Sequence, residues 1–176
     1  GYFLFPFALG NLAGALVLGK LFDTRGRRAM ISGTYLLSAA LLALSGWLFY
    51  IEALNALTQT LLWCVVFFFA SAGASSGYLT VSEIFPIEFR AQAIAFFFAV
   101  AQFFGGVIAP ALFGYFVAAS NRGENPVPLF IGYLVGAGLM AVGGLVALVF
   151  AVDAEGRPLE QVATPLSAVE ARRPGR

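Results

Sequence analysis

Residues 8–42 read ALGNLAGALVLGKLFDTRGRRAMISGTYLLSAALL, and the charged stretch from Asp23 to Arg28 divides two long apolar runs. Before it, the only polar side chain between Ala8 and Leu18 is Asn11; after it, charge disappears from Ala29 to Ile51. A helix that crosses the hydrocarbon of a bilayer needs about 20 predominantly apolar residues, since its backbone polar groups must be satisfied within the segment. Two such runs on either side of a short charged turn predict a transmembrane helical hairpin.

The same pattern continues along the chain. Apolar stretches run from about Gly1 to Phe22, Ala29 to Ile51, Gln59 to Val81, Ala93 to Ala119 and Pro128 to Val152, which predicts five spans within residues 1–152. The connections carry charge or turn residues: Asp23 to Arg28, Glu52 to Thr58, Ser82 to Gln92, and Ser120 to Val127 with Gly123 and Asn125-Pro126. Composition agrees. The 176 residues are 60% hydrophobic and 11% charged, with mean hydropathy +0.88, well above the roughly 45 to 50% apolar share of ordinary globular domains. The expected fold class is therefore all-α, a polytopic membrane bundle. Residues 153–176, rich in Pro, Ala and charge, are expected to form a mostly disordered tail.

Lys and Arg set the sidedness, because short cytoplasmic loops retain positive charge. With Asp23 to Arg28 cytoplasmic, that side also holds Lys20, Arg90, Arg157, Arg172, Arg173 and Arg176, and Arg122 alone lies outside. The chain is then expected to begin outside and end in the cytoplasm of a cell membrane. Gly1 is not an initiator Met and the first span starts without a charged leader, so a piece of a longer protein is expected.

Several function classes fall away. A net charge of +1 and a pI near 8.1 supply no basic field for nucleic acid. With no His, one Cys (Cys64) and no acid inside the spans, neither a metal set nor a nucleophile with its base can be assembled, so no cofactor and no enzymatic activity are expected.

The charged segments carry the specific information. Gly19, Asp23, Gly26, Arg27 and Arg28 form the pattern G-x-x-x-D-x-x-G-R-R. Gly19 would permit close helix approach, Gly26 a tight reversal, and Asp23 would meet the positive end of the following helix dipole. The spacing also fits a basic loop that only fixes topology. Ser82-Glu83-Ile84-Phe85-Pro86-Ile87-Glu88-Phe89-Arg90 closes the third span, with Pro86 as the stop and its acids on the side of the arginines.

Together these segments resemble the major facilitator superfamily. G-K-L-F-D-T-R-G-R-R looks like the loop joining the second and third helices of each six-helix half. S-E-I-F-P-I-E-F-R is similar to the segment between the tenth and eleventh helices of sugar-porter-type members. Asp153-Ala154-Glu155-Gly156-Arg157-Pro158-Leu159-Glu160 resembles the sequence after the twelfth helix, with Val152 in place of a Pro and Glu155 in place of a Lys. The resemblance implies helices eight to twelve of a twelve-helix secondary transporter, moving a small solute by alternating access with an N-terminal half as partner. It also implies a cytoplasmic network of Asp23, Arg27, Arg28, Glu83, Arg90 and Asp153 that latches the inward side.

The spans contain no charged residue away from their ends, so a proton relay is not expected in them. Asn11, Tyr78 and Gln102 are the candidate substrate contacts; Ser75 and Ser76 fit interhelical hydrogen bonding equally well. The sugar porters' G-P-x-x-W segment corresponds to Ala74-Ser75-Ser76-Gly77-Tyr78, which lacks the Pro and replaces the Trp. A sugar, a polyol, an organic ion and a drug-like solute therefore all remain open, as does a small membrane scaffold that does not transport. Gly10 and Gly14, Gly73 and Gly77, and Gly132 and Gly136 are small-x-x-x-small pairs expected at close helix contacts.

Overall fold

The computed structural model describes residues 4–123 and 125–151, with Leu4, Asp23, Arg122 and Gly123 described by their backbone alone. Its elements are α1 (Leu4–Arg25), α2 (Arg27–Tyr50), α3 (Ala56–Ile84), α4 (Arg90–Gln102), α5 (Ala109–Gly123) and α6 (Val127–Phe150). A π-helical segment, Phe103–Ile108, joins α4 to α5, so these form one continuous rod. Five helical spans are long and apolar enough to cross a membrane, and the fourth is that rod, Arg90–Asn121. No strand occurs among the described residues. The tail from 153 to 176 lies outside them.

Antiparallel α2 and α6 make the central pair. A Cβ on Gly46 would come within 2.5 Å of Tyr133 Cβ, and one on Gly144 within 2.9 Å of Leu36 Cγ. Backbones this close are how membrane helices gain packing energy where lipid offers no hydrophobic drive. α2 also runs against α3 through a seam of small polar side chains. Gly73 lies on Thr34, Ser38 donates to the Val66 carbonyl at 3.2 Å, and Gln59 donates through Nε2 to Ser45 Oγ at 2.7 Å.

On the far side of α3 lies α1, parallel to it. A Cβ on Gly14 would fall 1.8 Å from the Phe68 carbonyl oxygen and one on Gly10 3.0 Å from that of Cys64, so this pair of small residues is an interface. The other two expected pairs are mixed. Gly132 and Gly136 meet Phe116 and Leu42, whereas only Gly73 of the third pair touches a neighbour and Gly77 faces open space.

The fourth span is different. No residue from Arg90 to Ile108 is buried. Its α4 end touches α3, where the Tyr78 and Phe98 rings lie 6.0 Å apart, and its α5 end touches α6. Between them opens an apolar groove of about 630 Å3 lined by Trp63, Phe67, Phe113, Gly132, Tyr133 and Gly136 among others.

An internal likeness underlies the central pair. Residues 34–46, TYLLSAALLALSG, align with residues 132–144, GYLVGAGLMAVGG, at one constant offset. Tyr35 is thereby matched to Tyr133 and Gly46 to Gly144. The packing repeats too: Gly46 sits on Tyr133, and Gly144 on Leu36 beside Tyr35. Because α2 and α6 run in opposite directions, this is an inverted repeat about an axis in the membrane plane.

Candidate functional site

The charged turn is built by one glycine. α1 continues as helix through Asp23 to Arg25, Gly26 alone leaves helical geometry at φ 92, and α2 starts at Arg27. Positive φ is a conformation that a Cβ disfavours, so the reversal depends on Gly26. Asp23 is thus in the last turn of α1, not in a loop ahead of α2; its side chain lies outside the described residues, as does Asp153.

This reversal places Arg27 against the end of α3. The Arg27 side chain is 11% exposed and donates through Nη1 to Oε2 of Glu83, itself 21% exposed. The ion pair sits at the rim of the bundle, desolvated enough to matter and open enough to be broken. In the half of the bundle beneath it, Phe22, Ile31 and Ala72 form a buried apolar cluster that joins α1, α2 and α3.

Arg28 behaves differently from its neighbour. Its Nε donates to the main-chain carbonyl of Leu148, close to the end of α6. A guanidinium there supplies a donor where the helix has run out of its own and interacts favourably with the negative end of the dipole. Arg27 and Arg28 therefore hold α2 to α3 and to α6 at the same end of the bundle.

Arg90 does not join this arrangement. It opens α4 beyond the Pro86 turn, and its buried Nε has no hydrogen-bond partner among the described residues. Nor does Gly19 act as a contact, since a Cβ there would meet nothing within 4 Å.

The candidate substrate contacts lie elsewhere. Asn11 has an exposed side chain, while its main-chain carbonyl accepts from Ser71 Oγ at 2.6 Å. Tyr78 is 37% exposed beside Phe98. Gln102 is exposed and ends α4, one turn beyond Phe98 and directly before the π-helical segment. Ser76 is buried and its carbonyl accepts from Thr80, a packing role, whereas Ser75 is exposed.

No three His, Cys, Asp or Glu side chains come together as a metal site among the described residues. Packed membrane helices of this length and apolarity, with an ion pair at the rim of the bundle, define a multi-pass membrane protein. The chain belongs to the Major Facilitator Superfamily, whose family model matches residues 1–174. No curated protein matches it, and no solved structure does either. The family is one of membrane transporters.

Proposed function

We propose that this chain is the C-terminal part, helices eight to twelve, of a secondary transporter that moves a small solute by alternating access, proton-coupled, with an N-terminal half as its moving partner. The observation that carries this reading is the uncovered fourth span. A rod with nothing buried between Arg90 and Ile108, and with the amide of Gln102 exposed at mid-span, is poorly matched to lipid, where an unpaired amide is costly.

The groove supports the same reading. α3 packs on α1 and α2; the inverted repeat puts the equivalent seat on the fourth span and α6, where the 630 Å3 groove lies. A further apolar helix of the same transporter fits that seat. The solute is a sugar, a polyol, an organic ion or a drug-like compound. The proton carrier belongs to another part of the transporter, since no ionisable acid or His lies inside these spans. The Arg27–Glu83 end faces the cytoplasm, in keeping with its excess of Arg.

The test is uptake by the complete gene product in proteoliposomes, using labelled sugars, polyols and organic ions with and without an imposed proton gradient. Gradient-dependent accumulation of one solute is expected. Folded protein that accumulates none of them would favour a membrane scaffold instead.

A further inference from the structure

The inverted repeat extends beyond α2 and α6. Residues 7–22, FALGNLAGALVLGKLF, align without gaps on residues 98–113, FAVAQFFGGVIAPALF. Phe7-Ala8 falls on Phe98-Ala99, Gly14 on Gly105, and Leu21-Phe22 on Leu112-Phe113. In this alignment Asn11 falls on Gln102. They are the only two carboxamides in the interiors of the five spans, and the repeat makes them equivalents.

Their depths agree. At about 1.5 Å rise per residue, Asn11 lies roughly 21 Å along α1 from Arg25, and Gln102 roughly 18 Å along α4 from Arg90. Arg25 and Arg90 both mark the charged end of the bundle, so both amides stand near the middle of the membrane. Neither is buried by the bundle. Neither side chain has a hydrogen-bond partner among the described residues; only the Asn11 main-chain carbonyl is engaged, by Ser71.

From this juxtaposition we infer that Asn11 and Gln102 are a twofold-related pair that faces one water-filled path at mid-depth and takes the same uncharged hydrogen-bonding group of the solute. A carboxamide both donates and accepts, which suits hydroxyl or amide groups. It offers no countercharge, and a bare ion at mid-membrane needs one. On the Gln102 side, the Tyr78 ring of α3 lies against Phe98, one turn before Gln102, and supplies an apolar wall there. This inference rests on the transporter reading.

The test uses the complete transporter with Cys64→Ala and every cysteine outside these 176 residues also replaced, so that one cysteine at a time can be read. Asn11→Cys and Gln102→Cys are each treated with a membrane-impermeant maleimide, alone or with sorbitol or tetraethylammonium. Both positions are expected to react, and sorbitol to slow both several-fold while tetraethylammonium slows neither. Modification of either position by a lipid-soluble maleimide alone would overturn the pairing. Protection by the cation, or no protection by sorbitol, would overturn the ligand class. As a second measurement, Asn11→Ala and Gln102→Ala are each expected to cut uptake of a polyol by roughly tenfold, the worth of one good hydrogen bond. A protein that takes up solute while both cysteines stay dark to the impermeant reagent would sink this inference and leave the transport reading standing.

Discussion

Arg27, the first residue of α2, is ion-paired to Glu83, next to last in α3, across 56 positions of sequence. The pair joins, at one end of the bundle, two helices that also meet through small polar contacts at Thr34, Ser38 and Ser45 and through the apolar cluster at Ile31 and Ala72. Its energy is intermediate between exposed and buried pairs, about 1 to 3 kcal/mol. That is the scale needed to bias a two-state equilibrium without freezing it.

Among the described glycines, Gly14 leaves the least room for a side chain. Gly14→Ala puts a methyl group 1.8 Å from the Phe68 carbonyl oxygen, so α1 must move off α3. A loss of about 1 to 3 kcal/mol is expected. Gly19→Ala, which meets open space, is the control and should leave stability unchanged. Thermal unfolding of the two variants in detergent checks this.

Gly26→Ala tests the backbone instead of the packing. With φ at 92, any side chain is strained by roughly 1 to 2 kcal/mol, and the strain falls on the residue that aims Arg27 at Glu83. Reduced stability together with reduced uptake is expected. Gly77→Ala, in a helix with open space beside it, should affect neither by much.

Arg28 anchors α6 through a carbonyl. Arg28→Gln removes the charge that complements the helix end and is expected to cost about 1 kcal/mol. Hydrogen exchange should then rise in the last turn of α6, around Leu148, and not in α3. Faster exchange confined to α3 would contradict the assignment.

The π-helical segment sets the register of the fourth span. Its α4 part is held by the Phe98–Tyr78 contact and its α5 part by Phe113 and Phe116 against Gly132. Deleting Gly106 would let the segment close to regular α-helix, with little rotation of α4 against α5. A Tyr78→Cys/Phe98→Cys crosslink and a Phe116→Cys/Gly132→Cys crosslink should therefore both form before the deletion and after it. Loss of either one after the deletion would contradict the assignment.

The membrane architecture was legible because hydropathy over 20 residues is a strong signal and the breaks between spans are charged or carry Pro and Gly. The turn at Gly26 was legible too, since glycine beside arginines at a span end has few other uses. The partner of Arg28 was not, because a main-chain carbonyl such as that of Leu148 has no residue signature. The π-helical segment was hidden for a similar reason: Phe103 to Ile108 is as apolar as the helix around it. Small-residue spacing marked Gly14 and Gly132 correctly, but spacing cannot say whether a neighbour is present, and at Gly19 and Gly77 none is. Arg90 was expected in the charge network from the family resemblance alone; it opens α4 beyond the Pro86 turn, and its Nε has no partner among the described residues.

The most direct test of the transport account is uptake by the complete gene product carrying Arg27→Glu, Glu83→Arg, or both. Each single change places like charges at the rim and should reduce uptake severalfold while the protein still folds. The double exchange restores an ion pair and should recover most of the loss. Single variants that transport like the unaltered protein would show that the Arg27–Glu83 contact is not a latch, and would contradict the account.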